Sequence, residues 1–279
     1  MKTFAKSYLK KKFPKFALRF RVQKILRERM HSDLYVLANL KKYLSESRHT
    51  QKILGYYSKE NTAIDVGAYM GEYSYVLANN CKNVLSIEPI PEMAMILRRA
   101  LPSNCEIVEC AVGEDVREVC LRIPNIGDQR VGALATIADH SFDFSNIDTI
   151  DNLIVNQYTL DLLIQKRSMK PLLIKIDVEG YEMNVLRGSM KIIETYRPIF
   201  LVEIEKRHNK EFREIFSLFD QQSYVPYHFR HGKLCISSSK IVDESYEYLQ
   251  KSGICGMYEM IYSIEQENYI NNFFFVPEI

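Results

Sequence analysis

Asp65-Val66-Gly67-Ala68-Tyr69-Met70-Gly71 joins an apolar run, Thr62 to Val66, to a helix-like run from Glu72 to Asn79. A strand that breaks on glycines and turns straight into a helix places backbone N–H groups at the mouth of an α/β sheet, the usual seat of a nucleotide-like ligand. The next apolar run, Val84-Leu85-Ser86-Ile87, ends on a second acid, Glu88. Glu88 follows Gly67 by 21 residues, close to the roughly 20-residue spacing at which a carboxylate meets a ribose hydroxyl pair.

The loop argues against a dinucleotide. A pyrophosphate-binding turn needs glycine two residues after the first, so that the backbone approaches the phosphates. That position is Tyr69, and the next glycine is Gly71. Asp65 would repel a phosphate but suits a cationic ligand. S-adenosylmethionine, with a ribose, a sulfonium, an ammonium and no phosphate, fits better than NAD.

The chain of 279 residues is 47% hydrophobic and 26% charged, an ordinary globular composition with enough apolar residues for a sizeable core. No apolar run approaches the ~20 residues of a membrane span. Its first residues show no signal-peptide core. Its six cysteines, Cys81, Cys105, Cys110, Cys120, Cys235 and Cys255, form no C-x-x-C pair, so neither a zinc site nor a disulfide framework is expected. The reading is a reducing, cytoplasmic compartment.

Net charge is +2, unevenly spread. Residues 1–29 hold eleven Lys/Arg and one acid, and the remainder is acidic on balance. Aromatics interleave with cations from Phe13 to Val22. Such an arm suits an anionic membrane surface, with peripheral attachment, or an acidic partner; nucleic acid is the weaker third option. The alternative is a helical extension that packs Phe and Leu on the core and shows Lys to water. Residues 1–58 are read as this basic helical extension, with helices over 31–46 and 48–57.

From residue 59 strands and helices alternate: strand 62–66, helix 71–79, strand 83–88, helix 91–100, strand 105–110. Alternation of this kind gives a parallel sheet with helices on both faces. The order breaks at about 113–165, read as an inserted β-hairpin of Val116–Ile123 and Arg130–Ile137 around the turn cluster 124–128. It resumes with a buried-strand run to Ile176, helix 181–195, strand Ile199–Ile204, helix 209–221 and strand-like runs at 223–229 and 272–276. The stretch 237–262 reads as a helix with flanking loops.

The string Ile174-Lys175-Ile176-Asp177-Val178-Glu179-Gly180-Tyr181-Glu182 puts two carboxylates just past a strand's carboxyl end, where ligands bind in open α/β sheets. Buried acids there are costly unless a ligand, a metal or N–H groups satisfy them. Glu182 opens a helix, and stabilising the helix end explains it best. Glu203 and Glu205 end the next strand, with His208 behind.

With Ile87-Glu88-Pro89, Ala111-Val112-Gly113, Thr159-Leu160-Asp161, Leu186-Arg187-Gly188, Val202-Glu203-Ile204 and the closing Asn272–Pro277, these two strings resemble the FkbM-type family of S-adenosylmethionine-dependent methyltransferases. The resemblance covers about residues 60 to 277. It departs at Tyr69, where the family usually has Asn. It implies an α/β, Rossmann-like methyltransferase fold: a mostly parallel, doubly wound sheet with an antiparallel edge strand and an inserted hairpin, over residues 59–279. It further implies O-methylation of a hydroxyl on a sugar, glycolipid or natural product, so the acceptor partner is a small molecule or glycan. The expected cofactor contacts are Asp65, Gly67, Ala68, Tyr69, Gly71 and Tyr73 from the first loop, Glu88 and Pro89 at the ribose, Cys110 and Ala111 at the adenine, and Asp177 nearest the sulfonium. An alcohol is a poor nucleophile at neutral pH and needs a base; the candidates are Asp177, Glu179, Glu203 and His208. Asp161 either lines the pocket or caps a turn. Mg²⁺ is compatible with a carboxylate cluster but not favoured. Two readings of other classes stand beside this one: a non-catalytic module binding through the basic arm, and an NAD-dependent oxidoreductase.

Overall fold

A computed structural model describes residues 18, 19, 22–24, 61–127, 129–139, 147–231, 233–252 and 268–278. The expected helices at 31–46 and 48–57 lie outside the described residues, as does Cys255.

In chain order the elements are β1 (Thr62–Val66), α1 (Glu72–Asn80), β2 (Asn83–Ile87), α2 (Pro91–Ala100), β3 (Cys105–Val108), β4 (Ala111–Val112), β5 (Arg117–Ile126), β6 (Gln129–Arg130), a 3₁₀ turn (Gly132–Leu134), β7 (Thr149–Tyr158), α3 (Leu160–Gln165), β8 (Pro171–Ile176), α4 (Glu182–Arg187), α5 (Met190–Tyr196), β9 (Ile199–Glu203), α6 (Phe212–Gln221), β10 (Tyr224–Arg230), β11 (Lys233–Ile236), α7 (Ser239–Lys251) and β12 (Asn272–Pro277). Eight strands form one sheet in the order β11-β10-β12-β9-β8-β1-β2-β3. Its centre, from β3 to β9, is parallel. The last strand, β12, inserts antiparallel between β9 and β10, and β11 is the antiparallel edge.

The two faces of this sheet divide the core by the period of two along each strand. Ile64, Val66, Leu85, Ile87, Ile174, Ile176, Phe200 and Val202 face α3 to α7. Ala63, Val84, Leu173, Ile199 and Leu201 face α1 and α2. Leu18 and Val22, one helical turn apart in the basic arm, are buried in this second cluster while Arg19, Gln23 and Lys24 are exposed.

The insertion differs from its expected form. The partner of β5 is β7, paired from Arg117↔Gln157 to Asn125↔Thr149. Of the expected second strand, Arg130 pairs with β5 at Asn125, next to Gln129, and Thr136 returns to β5 through a single bridge to Arg122. Between the two the chain turns through Gly132–Leu134, and the Tyr69 ring and Ile90 crowd the place where a Cβ on Gly132 would stand. The expected strand 105–110 is also split: β3 stays in the main sheet, and β4 crosses to pair with β7 in a second sheet of order β4-β7-β5-β6.

The expected helix 181–195 is two helices. A Cβ on Gly188 would lie 2.0 Å from the Gly113 carbonyl oxygen, so the chain breaks where the two sheets' connections touch. The second helix needs a new cap, and Asp161 supplies it: its carboxylate accepts from the Lys191 and Ile192 N–H groups at 3.1 and 3.0 Å. Asp161 therefore neither lines the cleft nor caps its own turn. Asp161→Ala is expected to cost about 1 kcal/mol of stability, read as a lower denaturant midpoint with an unchanged slope.

Candidate active site

A cleft of about 200 Å³ opens at the carboxyl ends of β1, β2 and β8. Its floor is Val66, Gly67 and Ile87, one wall is Glu88, Pro89, Cys110 and Ala111, and the opposite wall is Asp177, Val178, Glu179 and Tyr181. The insertion covers it with Leu121, Gly132, Ala135, Thr136 and Ile137.

The first loop is not a phosphate cradle. Gly67 and Ala68 both donate their N–H groups to the Ile87 carbonyl at 3.0 Å, and Gly71 donates to Ala68. Tyr69, at φ 41°, donates its N–H to Glu88 Oε2 at 2.8 Å. Ile90 N–H reaches Glu88 Oε1 at 2.9 Å. Each Glu88 oxygen thus takes one backbone donor and keeps acceptor capacity for a second. Burial pushes this carboxyl up to about 7, the two N–H donors pulling the other way. Beside it, burial pushes the Cys110 thiol up to about 12, so the part of this wall made by Pro89, Cys110 and Ala111 is neutral and apolar.

On the facing side, Glu179 sits at φ 54°, a left-handed conformation that costs a non-glycine residue on the order of 1–3 kcal/mol and concentrates at functional sites. Its surroundings impose it. The Thr136 hydroxyl donates to the Glu179 carbonyl at 2.7 Å, and Glu182 Oε1 accepts from Gly180 N–H at 2.9 Å. Glu182 in turn accepts from Asn209 Nδ2 at 2.6 Å, so it braces the loop. Burial pushes the Glu182 carboxyl up to about 7. The Glu179 carboxylate pairs with His208 Nδ1 at 2.8 Å, and burial raises its pKa. Behind His208 stands Glu205, held by Arg207 and Asn271; burial opposes its charge, yet the neighbouring cations leave its pKa lowered.

Of the residues expected at the ligand, Gly67, Tyr69, Glu88, Pro89, Cys110, Ala111, Asp177 and Glu179 line the cleft. The others stand behind it. Asp65 is 1% exposed; its carboxylate takes the Ser74 hydroxyl at 2.5 Å, and Ser74 meets Ser86 at 2.7 Å. Burial pushes Asp65 up to about 6. It ties β1 to α1 and β2, because a buried acid needs donors. Ala68 is buried in the core beneath α1. Gly71 faces Leu97, Leu101 and Leu18. The Tyr73 ring lies against the Lys175 ammonium, 4.7 Å from its centroid. Glu203 is 3.7 Å from the same ammonium, and His208 acts on the cleft only through Glu179.

The sequence reading missed Thr136, Gly132 and Lys175. Nothing local marks the first two. Lys175 carried a signal: a lone cation inside the apolar run Leu172–Ile176, where an unpaired charge is too costly to keep. Among the described residues no group of three or more His, Cys, Asp or Glu side chains is arranged to hold a metal ion, and no helix is long and apolar enough to cross a membrane.

The sheet order, the inserted antiparallel β12 and a carboxylate-lined cleft at the parallel strand ends define a Rossmann-like methyltransferase fold. The sequence pattern of the methyltransferase FkbM domain matches residues 65–226, more than half of the chain. The protein belongs to the FkbM methyltransferase family. No curated protein matches the chain. Among solved structures it resembles the FkbM methyltransferase of Methylobacillus flagellatus at 15% identity and TM-score 0.46, over 91% of this chain and 60% of that one. It therefore spans less than two thirds of that protein. An O-methyltransferase from Bacillus cereus in complex with SAH resembles it at 13% identity and TM-score 0.42, over 96% and 94% of the two chains.

Proposed function

We propose that the protein transfers a methyl group from S-adenosylmethionine to a hydroxyl of a sugar, glycolipid or related natural product. The observation that carries this reading is one cleft holding Glu88, aimed by two backbone N–H groups, opposite Asp177 and Glu179. The residues fit the cofactor. Glu88 has acceptor sites left for a ribose diol, Pro89, Cys110 and Ala111 offer an apolar wall for adenine, and Asp177 offers negative charge to a sulfonium. Bound there, S-adenosylmethionine supplies an already activated methyl group.

The chain's own task is alignment and removal of the acceptor's proton. Glu179 is the residue placed for the proton. Burial raises its proton affinity, which makes it a stronger base than a solvated carboxylate, and His208 fixes its orientation. An acceptor hydroxyl would be received under the insertion, between Thr136 and Tyr181, and Glu179 is the group that would take its proton. Asp177, paired with Lys175, completes the wall against which the cationic end would rest.

Calorimetric titration with S-adenosylhomocysteine tests the cofactor. Micromolar binding is expected, reduced at least 100-fold in Glu88→Ala. Because a diol donates to the ionised form, binding competes with the proton on Glu88. Affinity should be flat above about pH 7.5 and should fall, up to tenfold per unit, as pH drops below about 7. A wild-type affinity indifferent to pH between 5.5 and 8 would remove Glu88 from the ribose.

A further inference from the structure

Lys175 is the charge that the proposed chemistry does not use. It projects from β8, is fully buried and stands under the cleft wall. Asp177 Oδ2 is 3.1 Å from its ammonium and Glu203 Oε2 is 3.7 Å away. The Ile176 carbonyl accepts from it at 3.4 Å, and the Tyr73 ring of α1 covers it at 4.7 Å. Asp65 on β1 adds a further negative neighbour, felt through space. From the β12 side, Asn271 donates to both Glu203 and Glu205. These groups around the ammonium are anionic, a carbonyl or an aromatic face, and of them Asp177 lines the cleft.

One buried ammonium cannot neutralise two adjacent, partly buried carboxylates. Burial and the charge on Asp177 raise Glu203 well above the ordinary carboxylate range, while Lys175 pulls it down. Glu203 is therefore the carboxyl of the pair that its surroundings drive toward the protonated form. We infer that Lys175 is a positioning residue for methyl transfer: pinned between Asp177 and Glu203, it holds the Asp177 carboxylate aimed into the cleft. The placement of Asp177 beside the reacting centre rests on the function proposed above; the Lys175–Asp177–Glu203 charge set does not.

The test has a physical arm and a kinetic arm. Lys175→Met keeps the aliphatic bulk and removes the charge. Without the ammonium, the two carboxylates face each other with no cation between them, and protonation relieves the repulsion. A carboxyl whose folded-state pKa is raised adds stability at low pH that is lost as pH rises through that pKa. The gap in Tm between wild type and Lys175→Met should therefore be small at pH 5 and should widen steadily to pH 8. The double variant Lys175→Met/Glu203→Gln removes one carboxylate as well, and should regain most of the neutral-pH loss. This comparison serves even if the single variant folds only in acid. In the kinetic arm, at saturating cofactor, the acid limb of kcat for Lys175→Met should move up by at least one pH unit, with S-adenosylhomocysteine affinity at pH 8 changed by less than about threefold. A pH-independent Tm gap, with no gain in the double variant, would make Lys175 a packing residue and overturn the inference. A pH-dependent gap with an unmoved kcat profile would keep the charge set but refute the positioning role. Absence of any methyl transfer by the wild type would instead sink the proposed function and leave the unfolding result standing.

Discussion

Glu179→Gln is expected to lower turnover by about 10² to 10⁴-fold, the range a positioned general base supplies, while S-adenosylhomocysteine binding changes by less than about threefold. The variant keeps the shape of the side chain and deletes the proton acceptor. The separation of effects follows from the site's layout. Glu88, Pro89, Cys110 and Ala111 form the wall assigned to the nucleoside, and Glu179 sits on the other side of the cleft, fixed by Thr136 and His208. Removing His208, as His208→Ala, should lower turnover by less than Glu179→Gln does, because the carboxylate remains and only its orientation is lost. Single-turnover methyl transfer to a responsive acceptor measures both. Turnover of Glu179→Gln within about threefold of wild type would leave Asp177 as the base or show that the acceptor arrives already ionised. The energetic signature favours Glu179: the structure holds a non-glycine residue at φ 54° and spends a threonine, a histidine and the Glu182–Asn209 brace on keeping it there.

The parts legible in the sequence are those with a local cause. The runs Thr62–Val66 and Leu172–Ile176 are apolar on both faces because helices cover both sides of a parallel strand, and glycines after β1 mark the turn at its end. Glu88 and the acids after Ile176 were readable because position at a strand end fixes exposure to the cleft. Asp65 shows the limit of that argument. Its place in the loop suggests a ligand contact, yet Ser74, a polar interruption of its own helix, is the donor that a buried acid requires, and Ser86 on β2 meets the Ser74 hydroxyl in turn. The pairing of β5 with β7 was not legible, since the two strands are joined across residues 127–148 and antiparallel pairing over that distance leaves no local mark. The covering wall of the cleft, Gly132 to Ile137, depends on that pairing and was lost with it. Glu203 and His208 were found by the same strand-end reasoning as Asp177, but the neighbouring elements close over them: β12 supplies Asn271 to Glu203, and Glu179 stands between His208 and the cleft.

Gly67→Ala is expected to abolish S-adenosylhomocysteine binding and to destabilise the fold by more than about 3 kcal/mol, at the severe end of single substitutions. Gly67 lies at φ 82°, and a Cβ there would be 1.8 Å from the Asp177 carbonyl oxygen and 2.9 Å from its carbon. The obstacle is backbone, so no rotamer relieves it. Asp177 N–H donates to the Val66 carbonyl at 3.1 Å, and Gly67 N–H donates to Ile87. Pushing the two chains apart would strain or break these bonds and displace Asp177 and Glu179 together. Gly127→Ala is the matched control. Gly127 also has a positive φ, 58°, but nothing lies within 4 Å of its Cβ position. That variant carries only the cost of a left-handed alanine, about 1 kcal/mol. The difference between the two denaturation midpoints therefore measures the close approach of β1 and β8 alone. If the two variants lose equal stability, or if Gly67→Ala still binds with wild-type affinity, the contact between Gly67 and Asp177 is not what shapes the cleft. If the difference is large, the first glycine of the loop is required by the neighbouring strand, with the ligand's access as the consequence.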